Sequence, residues 1–228
     1  MAKRNKKGIC VYCGKLKILT REHVVPRCLF PTPPMAPVII PVCRDCNNDK
    51  SKIDDYLRDM LVLESSRNAP AAELLHGPVS RSASRNLSAV VRAAKSKAKY
   101  EPVHSPGGIY LGHACTFPLE EARVNRAFSL MVRGLYYKLT GLYLPQDCGF
   151  RVRRLTASEF NEFWTKLKEI GYNGPYRLGD DVFTCLFIYA AEEPAISQWW
   201  LWFYDTVCVT VGTVPNGYDP NALVPVAT

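Results

Sequence analysis

Two Cys-x-x-Cys pairs limit what the N-terminal end of this chain can become: Cys10-Val-Tyr-Cys13 and Cys43-Arg-Asp-Cys46, with 29 residues between them. One pair alone would leave a redox-active dithiol open. Two pairs around a polar, proline-rich segment favour a metal. Each presents two thiolates to one ion, and two such knuckles complete a tetrahedron. A site closed by four thiolates keeps no open position, so the zinc it implies is structural. It would staple a segment too short to bury a core of its own. The other five cysteines, Cys28, Cys115, Cys148, Cys185 and Cys208, are scattered, and an odd total of nine argues against a complete disulfide framework. They read mostly as small buried hydrophobes.

The remaining bulk properties narrow the class. A chain of 228 residues, 47% hydrophobic and 22% charged, holds one domain or a small module plus a larger one. No apolar run is long enough to cross a bilayer, so no membrane partner is expected. The N-terminus MAKRNKKG is basic and lacks the apolar stretch of a secretory signal, which points to the cytoplasm. With 29 Lys+Arg against 21 Asp+Glu the net charge is +8. Such an excess suits a polyanion, whose condensed counterions are released on binding. Charge alone fits an ordinary solvated basic surface equally well.

Periodicity gives an α+β chain in three parts: a zinc-stapled module at 1–60, a helical basic connector at 61–115, and an α+β C-terminal domain at 116–228. In the module, Ile9 to Tyr12 and His23 to Val25 are β-prone, the run Pro31 to Pro37 is a loop, and Val38 to Ile40 is a short strand. From Arg44 the apolar spacing turns helical through Ile53, Tyr56, Leu57, Met60 and Leu61. The connector suggests helices at about 70–76 and 82–98, then a break at Ser105-Pro-Gly-Gly108. A helix is expected over 118–140, a strand over Gly149–Leu155 and a helix over Ser158–Ile170. Val182–Ala190 and Trp199–Val211 read as two strands rich in aromatic and β-branched residues.

Between the knuckles lies Glu22-His23-Val-Val-Pro26, and the second knuckle continues as Cys46-Asn47-Asn48-Asp49-Lys50. Here the sequence resembles the HNH, or ββα-metal, nuclease family, over roughly residues 8–54. The resemblance implies a small ββα-metal fold and a metal-dependent endonuclease that hydrolyses phosphodiester bonds in nucleic acid, most plausibly DNA. It implies His23 as general base, and Glu22 and Asn47 as ligands of a catalytic Mg²⁺ or Mn²⁺ ion. Lys50 matches a frequent lysine that contacts phosphate or stabilises the fold. Arg21, beside the acidic residue, is counted with it as a substrate contact. The chemistry suits these residue types. Histidine takes a proton from water near neutral pH, and a cation held by oxygen ligands clamps a phosphate and its leaving group. Members of this kind often serve in bacterial or phage defence or restriction.

One position departs from the family pattern. Val38 stands where the central Asn is expected, a residue that often orients the base. A zinc-knuckle nucleic-acid-binding protein with a degenerate nuclease site is therefore the alternative. Each residue also has a plainer role available: Asn47 as a helix N-cap, Glu22 as a surface charge. Arg67, Arg81, Arg85, Arg92 and the lysines to Lys99 would make either a phosphate-contacting face or a solvated one. The aromatic run Trp199 to Tyr204 reads as strand core rather than a base-stacking platform. The C-terminal domain is left to position substrate, recruit a protein partner or self-associate.

Overall fold

The chain was analysed as a computed structural model that describes residues 6–85, 88–105 and 107–218. Residues 1–5 of the basic arm lie outside the described residues.

Strand β1 (Lys7–Ile9) pairs antiparallel with β2 (Leu16–His23), which pairs antiparallel with β3 (Ile39–Cys43). The β-prone run Ile9–Tyr12 does not continue as strand, because the first knuckle must fold back on itself. Gly14 N–H donates to Cys10 O at 2.8 Å and Cys10 N–H to Lys15 O at 3.0 Å. Gly14 sits at φ +65°, a left-handed conformation that glycine adopts without Cβ strain. Helix α1 (Arg44–Glu64) follows β3 without a loop. Ile53, Tyr56, Leu57, Met60 and Leu61, the positions that set its period in the sequence, are all buried.

The connector folds against α1 as α2 (Ala69–Leu74), a wide turn at Leu75–Val79 containing Pro78, α3 (Ser80–Ser84) and α4 (Ala89–Lys97). Asn68 and Ser88 accept from backbone N–H groups three residues on and so cap α2 and α4. The expected helix 82–98 is thus two segments, with residues 86–87 outside the described ones. A hairpin the sequence did not suggest, β4 (Lys99–His104) and β5 (Tyr110–Thr116), surrounds the break at Ser105. All of β4 is exposed. With no buried face it shows no hydrophobic alternation to read.

Helix α5 (Glu121–Thr140) starts after Pro118 and ends at Gly141, φ +76°. The second sheet is antiparallel, in the order β6 (Gly149–Leu155), β10 (Val207–Val214), β9 (Ser197–Phe203), β8 (Phe183–Tyr189), β7 (Asn173–Leu178). The run Trp199–Val211 is therefore a hairpin rather than one strand. Tyr204 and Asp205, both at φ +51°, make its turn, and no Gly or Asn marked it in the sequence. The alternation of β9 shows how both faces are used. Trp199, Leu201 and Phe203 belong to the main core, where Phe203 meets Phe128 of α5 at 5.8 Å between ring centroids. Trp200 and Trp202 face the other way, onto Phe160, Phe163 and Trp164 of α6 (Ala157–Ile170).

The main core runs without interruption from Cys10 and Val24 through α1 and α5 to Trp199 and Val211. The three parts expected from the sequence thus share one interior, and α1 runs straight through residue 60. Tyr204 Oη donates to Leu29 O at 2.8 Å inside it, and Arg154 of β6 pairs with Glu64 at the end of α1. Helix α5 approaches the β2–β3 hairpin closely at Gly134, where a Cβ would lie 2.8 Å from Val24 Cγ2 and 3.1 Å from Ile40 Cδ1. Gly134→Ala gains roughly 1 kcal/mol of helix propensity but overpacks a rigid contact, costing about 1–3 kcal/mol. A net loss of stability is expected in a urea melt; a more stable variant would mean the helix does not seat on the β2–β3 hairpin this closely. No helix among the described residues is long and apolar enough to cross a membrane.

Candidate functional site

The four knuckle cysteines come from three places: Cys10 and Cys13 from the β1–β2 turn, Cys43 from the end of β3, and Cys46 from the first turn of α1. Their sulfurs all lie within 4.8 Å of one another, and Cys13 Sγ is 3.9 Å from Cys43 Sγ. A regular tetrahedron with Zn–S bonds of about 2.3 Å has sulfur–sulfur edges of about 3.8 Å, so the cluster is compatible with one structural zinc ion. The backbone supports the sulfurs as well: Cys43 N–H donates to Cys10 Sγ at 3.2 Å. Without a cation the group is poorly suited to carry charge. Burial pushes the Cys10 and Cys46 thiols up, and for Cys46 the neighbouring sulfurs add to it. Cys43 is lowered, since hydrogen bonds from the Cys46 backbone and the surrounding thiols outweigh its burial. Four sulfurs converging, with burial opposing the charge on Cys10 and Cys46, is an arrangement that a divalent cation relieves.

The hairpin and helix that carry this cluster also bring the Glu22-His23 pair and Asn47 to one region. Asn47, in the second turn of α1, donates from Nδ2 to Thr20 Oγ1 at 3.0 Å and to Arg21 O at 3.1 Å. It is not the N-cap, a position held by Cys43; it ties the helix to β2. Thr20 and Glu22 share the face of β2 that meets the helix. Glu22 is only 6% exposed and is no surface charge. His23, half-buried at the end of β2, pairs with Ile39 across the ladder. Among the described residues no hydrogen bond holds its imidazole. Val38, which borders the same cavity as His23, has no side-chain acceptor to offer it. Val38 packs partly against the core and accepts from Val24 N–H at 2.9 Å through its carbonyl. Arg21 is exposed.

Lys50 is 1% exposed. Its Nζ reaches Glu22 Oε1 at 2.9 Å, Asp54 at 2.9 Å and His23 O at 3.1 Å. The lysine that the resemblance offers to phosphate is thus a buried tie between β2 and α1, and in this arrangement its ammonium faces protein oxygens. Asp54, the residue the sequence reading missed, lies four positions after Lys50 on the same helix face, the one signal that would have found it. Burial pushes its carboxyl up to about 6, only partly offset by Lys50. Tyr12, inside the first knuckle, adds a buried hydroxyl with no hydrogen-bond partner among the described residues. Burial, and then the negative charges of Glu22 and Asp54, hold its pKa well above the phenol value.

Removing one member of such a buried ionic group leaves the others uncompensated. Lys50→Met, close in shape but uncharged, is expected to lower unfolding stability by about 3–5 kcal/mol at neutral pH. A denaturant melt checks it; a loss below about 1 kcal/mol would show that Lys50 is solvated in solution.

The expected basic face is exposed: Arg67, Arg81, Arg85, Arg92, Lys95, Lys97 and Lys99 all lie at the surface. Trp199, Trp200 and Phe203 are buried and unavailable for stacking on bases. No protein-family model matches the chain, and neither the curated proteins nor the solved structures contain a match to it.

Proposed function

We propose that the protein is a metal-dependent endonuclease of the HNH type, with a structural zinc in the four-cysteine cluster and a Mg²⁺- or Mn²⁺-dependent site at Glu22, His23 and Asn47. The observation that carries the reading is the joint placement of the Glu22-His23 pair and Asn47 on a β-hairpin and helix held by the cysteine cluster. The donor set fits a hard cation. Asn47 uses Nδ2 on β2, which leaves Oδ1 as the ligating atom, and Glu22 engages Lys50 through Oε1, which leaves its second oxygen. Bound there, a divalent ion supplies charge to a scissile phosphate and its leaving oxygen. His23 takes the proton from the attacking water, a role open to an imidazole that no hydrogen bond among the described residues holds. DNA is the substrate, and the exposed arginines and lysines of the connector supply phosphate contacts that weaken with salt.

Asn47→Ala tests the ligand role. It is expected to raise the Mg²⁺ or Mn²⁺ concentration for half-maximal plasmid nicking by roughly tenfold or more, the scale on which metal-site partners matter. Zinc content should stay unchanged. Unchanged metal dependence with only a small stability loss would reduce Asn47 to its tie onto β2.

A second reading has two observations in its favour. Glu22 is engaged by the buried Lys50, and Val38 stands beside His23 without a polar atom to orient it. A nucleic-acid-binding zinc knuckle with a silent site would look the same. Salt-dependent binding without nicking in any divalent metal would select it.

A further inference from the structure

Next to His23 lies a cavity of about 300 Å³, at the small end of the range of about 300–1,000 Å³ typical of ligand sites. It is walled by the proline loop, with Pro33, Pro34, Met35 and Pro37 on one side and Val38 and Leu178 among the other lining residues. Arg27, exposed, also borders it. These walls do not make a phosphate site. Phosphate is held by clustered cations and backbone N–H groups, whereas prolines have no N–H to give. What they offer is flat apolar surface. Met35, a fully exposed lining residue, adds a polarizable thioether. An occupant with planar apolar faces and an attached anion would place its ring between these walls and its charge against Arg27.

We propose that this cavity receives one unpaired base of the nucleic acid, beside the phosphate to be cleaved, so that the preferred substrate is unpaired strand rather than intact duplex. The proposal rests on the nuclease reading for its location and extends it to a substrate class. A base within a duplex has both faces covered by its neighbours. To enter the cavity it must be single-stranded, bulged or turned out of the stack, and a base already unpaired enters at least cost. Apolar contact with the face of a ring tolerates any base, so the cavity selects for strand state rather than for sequence.

The test is equilibrium binding of the full-length protein in Ca²⁺, read by fluorescence anisotropy. The probes are a labelled thymidine oligonucleotide, an abasic strand of the same length and charge, and a blunt duplex. The base-bearing strand is expected to bind roughly tenfold tighter than the abasic one, the scale that burial of apolar ring surface gives, and tighter than the duplex. Met35→Ala, at a fully exposed position, is expected to cut that preference several-fold and leave affinity for the abasic strand unchanged. Equal binding of the base-bearing and abasic strands, or a preference that survives Met35→Ala in full, overturns the base pocket. A parallel cleavage assay in Mg²⁺ and Mn²⁺ separates the two ideas. Cleavage without base preference sinks the pocket alone, base preference without cleavage sinks the chemistry alone, and no binding of any probe sinks both.

Discussion

Replacing Cys43 by serine is expected to release zinc and unfold the N-terminal module. Cys43 does more than contribute one of four sulfurs: it ends β3, holds the N-cap of α1, and its N–H donates to Cys10 Sγ in the buried centre of the cluster. Serine is a poor zinc ligand and leaves three thiolates. Structural zinc sites contribute apparent binding free energies of roughly 10–16 kcal/mol in small zinc-dependent peptides, comparable to or larger than a whole domain's stability of about 5–15 kcal/mol. The loss should also spread, since Cys10, Val24 and Ile40 belong to the same interior as Met131 and Trp199. Elemental analysis should give one zinc per wild-type chain and a sub-stoichiometric amount in Cys43→Ser, with a thermal transition lowered by many degrees or lost. Folded wild type without zinc, or a variant as stable as wild type, would show that the sulfurs converge for packing alone.

How much of this was legible in the sequence depends on which force left its mark there. The cysteine cluster was readable because two Cys-x-x-Cys pairs can each turn two sulfurs to one point, a local spacing that stands in the sequence itself. Helix α1 and strand β6 were readable because their apolar residues recur at helix and strand spacing. The β4–β5 hairpin has no buried face and left no period. The turn at Tyr204-Asp205 uses left-handed residues other than Gly or Asn, so its hairpin merged into one run. At the site, residue types and order were readable, but engagement was not. Nothing in the spacing of Glu22 and Lys50 announces that they meet at 2.9 Å, and only the four-residue step from Lys50 to Asp54 points to the third member. Nor could three apparent parts show that they share one core, since long-range packing carries no local signal.

His23→Ala is the second substitution with a large expected effect. A positioned general base contributes roughly 10²–10⁴-fold to rate, and cleavage should fall by that factor. The fold should survive, because what the interior uses of His23 is its main chain. Its carbonyl accepts from Lys50 Nζ at 3.1 Å and its backbone pairs with Ile39, and alanine keeps both. The half-buried imidazole has no hydrogen-bond partner among the described residues to lose. Zinc content and melting temperature of the variant should therefore match wild type closely, which separates a chemical role from a structural one.

The most direct measurement is nicking of supercoiled plasmid, and of a single-stranded circle of the same DNA, by the purified zinc-loaded protein, in Mg²⁺, in Mn²⁺ and with neither, run side by side with His23→Ala prepared identically. Nicking that requires the added divalent metal and falls at least a hundredfold in the variant is the result expected of a nuclease with His23 as its base. Absence of nicking in every metal, or equal rates for wild type and His23→Ala, would contradict it.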